Sequence, residues 1–197
     1  MNLPNKLTLS RFVLTVVFLA AVFSNVRLHE TAALLLFSAA SLTDYFDGKI
    51  ARRDKLITNF GILMDPLADK ILVCSAFISF VGLAWIDAWM VVLIVARELA
   101  ITGLRLLAAS KNLVLAAEGF GKHKTISQIV AIIAILVYHS YGQWGALGEY
   151  TFGLHLGGGV PWINWFQPLA IWVSVALTFI SGSLYLWRNR ELYLQDL

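Results

Sequence analysis

DYFDGKIARRDKLITNFGILMDPLAD, residues 44–69, places Asp44, Asp47, Asp65 and Asp69 in a chain whose other segments are largely apolar. Carboxylates beside a bilayer core are expensive, so four of them at ordered spacing call for a compensating charge. If the chain stays helical through Arg52, residues turn by about 100° each, and Asp44, Asp47, Gly48 and Ala51 fall within an arc of about 100°. Gly61, Asp65 and Asp69, each four apart, span about 80° on the following helix. Each stripe therefore joins two carboxylates to residues with almost no side chain. Hard divalent cations such as Mg²⁺ or Mn²⁺ prefer such oxygen ligands, and the small residues leave room for a phosphate-bearing ligand beside them. Solvated loop acids have no reason to fall at these intervals on glycine-bearing stripes.

The rest of the 197 residues sets this motif in a membrane. Hydrophobic residues make up 59% of the chain and charged ones only 14%, with a mean hydropathy of +0.75, far from a soluble domain. The formal net charge of +3 is too small an excess to imply a nucleic-acid partner. The lone Cys74 excludes an intramolecular disulfide and reads as a buried, inert thiol.

Six apolar stretches, each near the roughly 20 residues needed to cross the hydrocarbon core, run from Leu7 to Phe23, Thr31 to Ile50, Phe60 to Gly82, Ala88 to Ala109, Thr125 to Tyr141 and Phe166 to Trp187. The first resembles a signal peptide, but its long charged lead-in and the lack of a clean small-residue cleavage site favour an uncleaved span. Lys6 and Arg11, the Lys49 to Lys55 cluster, Arg105 to Lys124, and Arg188 with Arg190 fall on one side, and only Arg27 on the other. Positive loops stay cytoplasmic, so both termini and the aspartates are expected there. Trp85, Trp89, Trp144, Trp162 and Trp165 cluster at the opposite ends as interface anchors. The glycine-rich Gly142 to Trp165 connection reads as an irregular extracytoplasmic loop, and His155 in it as solvated. Pro66 either frees a backbone carbonyl or marks a first helical turn.

The pattern D-x2-D-G-x2-A-R-x8-G-x3-D-x3-D is matched at every fixed position by Asp44, Asp47, Gly48, Ala51, Arg52, Gly61, Asp65 and Asp69. It resembles the signature of the CDP-alcohol phosphotransferases. That resemblance implies an all-α integral membrane protein with six transmembrane helices, a single domain over residues 1–197, a homodimer, and a cytoplasm-facing site with two divalent cations in the bacterial inner membrane. It implies Asp44, Asp47, Asp65 and Asp69 as metal ligands, Asp69 also as the base that activates the acceptor hydroxyl, and Gly48, Ala51, Arg52 and Gly61 as the seat of the cytidine nucleotide.

The opening NLPNKLTLSRF, the segment ARELAITGLRLLAAS and GFGKHKTISQ are similar to bacterial members of that family whose acceptor is sn-glycerol 3-phosphate. This implies transfer of a phosphatidyl group from CDP-diacylglycerol, giving phosphatidylglycerol phosphate and CMP. A dianionic acceptor needs cations, and Arg105, Lys122 and Lys124 are placed to supply them, with Arg11 lining the same pocket. For Arg97, Glu98 and Lys70, structural pairing is the expected role; adjacent Arg97 and Glu98 should find different neighbours, and Lys70 is a partner for Glu98. The rival readings are another acceptor (inositol phosphate, serine or phosphatidylglycerol), a catalytically silent scaffold, and a divalent-cation transporter. The last is disfavoured because spans two and three carry no carboxylate in their outer halves.

Overall fold

The computed structural model describes residues 3–54, 59–111, 113, 120–155 and 159–194, and within them the side chains of 9–43, 67, 70–111, 113, 123–155 and 159–193. Each of the six apolar stretches lies on a helix of 20 or more residues: α1 (Leu3–Val22), α2 (His29–Asp54), α3 (Asn59–Gly82), α4 (Ala88–Ser110), α5 (Phe120–Ser140) and α7 (Ile163–Arg188). Between α5 and α7 come a 3₁₀ turn (Tyr141–Trp144) and the short α6 (Ala146–Thr151), and α8 (Glu191–Leu194) ends the described chain. Among the described residues, the segments His123–Trp144 and Ile163–Arg188 are long and apolar enough to cross a membrane by length and composition. Helix α4, of similar length, is interrupted by Arg97, Glu98 and Arg105.

Helix α1 packs against α2 and α3, α5 against α2, α3 and α7, and α4 against α3 and α7. The core draws on all six long helices, with Phe18, Phe37, Phe77, Ile94, Ile135 and Ile171 among its buried side chains. Phe18 and Phe37 join α1 to α2 with ring centroids 5.8 Å apart. Between apolar helices in lipid it is this interlocking, rather than exclusion of water, that favours association.

One end of the bundle is closed by aromatic and polar clasps. Helix α3 stops in a Schellman turn, in which Trp85 N–H donates to the Phe80 carbonyl at 2.8 Å and Ala84 N–H to that of Val81 at 3.0 Å. Ala84 takes the left-handed conformation at φ 57° that this turn requires. The accompanying apolar contact is the Phe80–Trp85 pair, and the Trp85 indole stacks on His139 of α5 at 3.8 Å. Trp144 Nε1 donates to Thr31 Oγ1 at 2.8 Å, while Gln143 bonds Glu30 at the start of α2. Trp162 Nε1 donates to the Thr151 carbonyl at 2.8 Å. Residues 142–155 and 159–165 of the Gly142 to Trp165 connection thus form an aromatic cap braced by half-buried Trp144 and Trp162, whereas Trp165 is 70% exposed. His155 is exposed, and Cys74 is half-buried rather than fully buried. Pro66 lies inside α3, past its first turn.

The cap depends on a close approach at Gly148, where an added Cβ would lie 1.9 Å from the Tyr141 carbonyl oxygen. A backbone atom cannot swing aside as a flexible side chain does. Gly148→Ala is therefore expected to destabilise the protein by about 1–3 kcal/mol, measured as a lowered Tm of the purified protein in detergent.

Candidate functional site

The end of the bundle remote from this cap carries the aspartate motif. Helix α2 continues unbroken to Asp54, so the condition for Asp44, Asp47, Gly48 and Ala51 to share one stripe is met, and Arg52 follows on the same helix. Gly61, Asp65 and Asp69 fall in the first half of α3, again within one continuous helix. Helix α1 contacts both α2 and α3, the two helices that carry the stripes. The side chains of these eight residues and of Lys122, which lies on α5, are outside the described part of the structure. Arg11 is described: it is 2% exposed on α1, where its carbonyl accepts the Thr15 hydroxyl at 2.8 Å.

Beside α3 the structure gathers a polar group inside the bundle. Glu98 of α4, 7% exposed, accepts from the Lys124 ammonium of α5 and lies 3.3 Å from Arg97 Nη1, both through Oε1. Arg97 Nη2 donates to Ser181 Oγ of α7 at 3.4 Å. From α3, Lys70 Nζ donates to Thr102 Oγ1, which itself donates to the Glu98 carbonyl at 2.7 Å. Arg105, about two α4 turns from Glu98 toward the motif end, is exposed, donates to Tyr185 Oη at 3.4 Å, and sits over that ring at 5.6 Å. Lys70 is within electrostatic reach of Glu98, Arg97 and Arg105.

Several sequence expectations change here. Arg97 and Glu98 do touch each other, although neighbouring helical positions diverge by about 100°. The long arginine stem passes α7 at Gly182, where an added Cβ would lie 2.6 Å from Arg97 Cγ, and so reaches back. Lys70 takes Thr102 rather than the Glu98 carboxylate as its hydrogen-bond partner, and Glu98 takes Lys124. Arg105 lies against Tyr185, which sequence reading had not singled out. The signal for it was present: Ser174, Thr178, Ser181, Gly182 and Tyr185 recur at three- and four-residue intervals and are all buried on α7. Thr178 of this stripe accepts Gln128 Nε2 from α5 at 3.2 Å.

A cavity of about 270 Å³ lined by Trp85, Asp87, Gln167 and Trp172 lies at the capped end, away from the motif, and is not a candidate for the same chemistry. No group of three His, Cys, Asp or Glu able to hold a metal occurs among the described residues. The motif aspartates are outside that set. Their donor chemistry, four hard carboxylates on two continuous helices held by a third, fits divalent cations of the Mg²⁺ or Mn²⁺ type.

Comparison with known proteins identifies the family. The model of the CDP-alcohol phosphatidyltransferase family matches residues 1–180. A Bacillus subtilis protein named CDP-diacylglycerol–glycerol-3-phosphate 3-phosphatidyltransferase is 38% identical over 96% of this chain and 96% of its own length. A Rickettsia felis protein of the same name is 33% identical over 93% of each chain. A Mycobacterium tuberculosis protein named probable phosphatidylglycerophosphate synthase is 43% identical over 66% of this chain and 64% of its own. With a full match to the aspartate pattern, a family model covering nine-tenths of its length and relatives similar almost from end to end, this chain belongs to the CDP-alcohol phosphatidyltransferase family, whose members are membrane-embedded.

Proposed function

We infer that this protein transfers the phosphatidyl group of CDP-diacylglycerol to sn-glycerol 3-phosphate, giving phosphatidylglycerol phosphate and CMP in phospholipid biosynthesis. The observation that carries this reading is the end-to-end similarity to relatives named for that reaction, joined to the intact acid pattern on α2 and α3. The family generally uses divalent cations; here Asp44, Asp47, Asp65 and Asp69 would hold two of them, Mg²⁺ or Mn²⁺. When bound, these ions neutralise phosphate charge at the reacting centre.

The chain's own residues do the rest. Gly48, Ala51 and Gly61, lacking bulk, seat the cytidine nucleotide together with Arg52. Asp69 takes the proton of the acceptor hydroxyl; that oxygen bonds to the phosphorus bearing the diacylglycerol, and the bond from this phosphorus to CMP breaks. Arg105, Lys124 and Lys122 hold the acceptor's phosphate, with Arg11 at the same pocket. Arg105 is supported by the Tyr185 ring and Lys124 by Glu98, so each cation stands on a defined partner. Six spans with both termini and the site cytoplasmic are part of this reading, supported by the six long helices and the one-sided Lys/Arg distribution. A single domain over residues 1–197, a homodimer and the bacterial inner membrane complete the proposal.

The direct test is CMP release by purified protein given CDP-diacylglycerol, glycerol 3-phosphate and Mg²⁺ or Mn²⁺, with the lipid product identified. Turnover is expected, and chelation should abolish it. Product with inositol phosphate, serine or phosphatidylglycerol alone would reassign the acceptor; absence of CMP under all conditions would overturn the reading. Asp69→Asn should lower turnover by at least about 10²-fold while CDP-diacylglycerol binding stays measurable by calorimetry. Arg105→Ala should raise the KM for glycerol 3-phosphate by about tenfold or more, as loss of a charged phosphate contact does, with the donor KM little changed; a defect confined to the donor would contradict its role.

A further inference from the structure

Among the described residues, the buried polar group has one carboxylate and several cations, and the carboxylate is its centre. Glu98 Oε1 alone meets both the Lys124 ammonium and Arg97 Nη1, and the Glu98 carbonyl receives Thr102, which receives Lys70. Helices α3, α4, α5 and α7 are thus joined at one residue. Ion pairs buried this way contribute little net stability, since desolvation offsets their attraction and apolar replacements serve as well. Charged groups inside a membrane bundle are instead associated with function. The geometry here also needs a specific accommodation, the bare flank of α7 at Gly182 that admits the Arg97 stem.

We propose that Glu98 is a positioning residue of the acceptor site, its carboxylate fixing the Lys124 ammonium against the repulsion of Arg97 so that the cation is presented to the acceptor's phosphate. This rests on the assignment of Lys124 to that phosphate. Lysine is a point charge on a flexible four-carbon stem, and without an anchor it would lose orientation each time the acceptor departs. Glu98 does not touch the reacting atoms; its effect travels through Lys124. Arg97, held between Oε1 and Ser181, helps orient the carboxylate.

The experiment is steady-state kinetics of purified Glu98→Gln, Lys124→Met and the double variant, with both substrates varied and Tm recorded for each protein. Glu98→Gln is expected to raise the KM for glycerol 3-phosphate by about tenfold, the scale of one charge-assisted hydrogen bond, with the CDP-diacylglycerol KM within about threefold of wild type. If Glu98 acts through Lys124, the double variant should match Lys124→Met alone. Glu98→Asp, which keeps the charge, should recover most of the acceptor affinity; it also serves as the graded test if Glu98→Gln does not fold, because its smaller defect must still fall on the acceptor KM. A normal acceptor KM in Glu98→Gln beside a raised one in Lys124→Met overturns the positioning role and leaves the acceptor assignment standing. A normal acceptor KM in Lys124→Met overturns both. Fully additive effects, or a fall in turnover with both KM values unchanged, also overturn the role of Glu98.

Discussion

A charge inside an apolar helix bundle has to be answered by another group, and this protein arranges its interior around that requirement. Glu98 is the clearest case: a buried carboxylate on α4 that receives a lysine from α5 and an arginine from its own helix. An uncompensated ion there would be far more costly than a surface one. The helices that supply the partners are therefore constrained in rotation as well as in position. Lys124 must face α4, Arg97 must pass α7 at a residue without a side chain, and Thr102 must lie beneath Lys70 of α3. Packing among Phe18, Phe37, Phe77 and their neighbours determines how closely the helices approach, while the polar group determines which faces meet.

The same requirement divides the molecule along its length. At one end, aromatic and polar clasps close the bundle: the Trp85–His139 stack, the Trp144–Thr31 hydrogen bond, the Gln143–Glu30 contact and the Schellman turn at Ala84. Toward the other end the charges accumulate, first Glu98 with its cations, then Arg105 on Tyr185, then the aspartates of α2 and α3. Aromatic packing opposite an end rich in charge is a sensible division for a protein whose substrates are anionic and must be neutralised where they react. Helix α1 is in contact with both acid-bearing helices.

Membership of the CDP-alcohol phosphatidyltransferase family gives this arrangement its chemical sense. Transfer between two phosphorylated substrates brings several negative charges together, and the proposed division of labour follows from their kinds. Hard carboxylates with cations suit the reacting diphosphate, residues without bulk suit the nucleotide, and lysine and arginine suit the acceptor's phosphate. The cations proposed for the acceptor's phosphate are carried mainly by α4 and α5, helices that the acid motif does not include.

The helical class, the six long apolar segments and the motif stripes were legible from residue order alone, because hydrophobic run length and the 3.6-residue turn are local properties. Positions 44, 47, 48 and 51 share a face on any continuous helix, and only continuity had to be seen. The pairings were not legible. Whether Glu98 would take Lys70 or Lys124, whether Arg97 could fold back to its neighbour, and what would lie against Arg105 depend on helix rotation and on a gap at Gly182, 85 positions from Arg97 in the chain. Likewise Trp144 and Trp162 read as anchors by composition, and became braces because the cap folds onto α2 and onto itself. Local sequence determined which groups this protein places near the membrane; the tertiary structure decided which of them answer one another, since ion pairs and hydrogen bonds form only between faces that packing brings together.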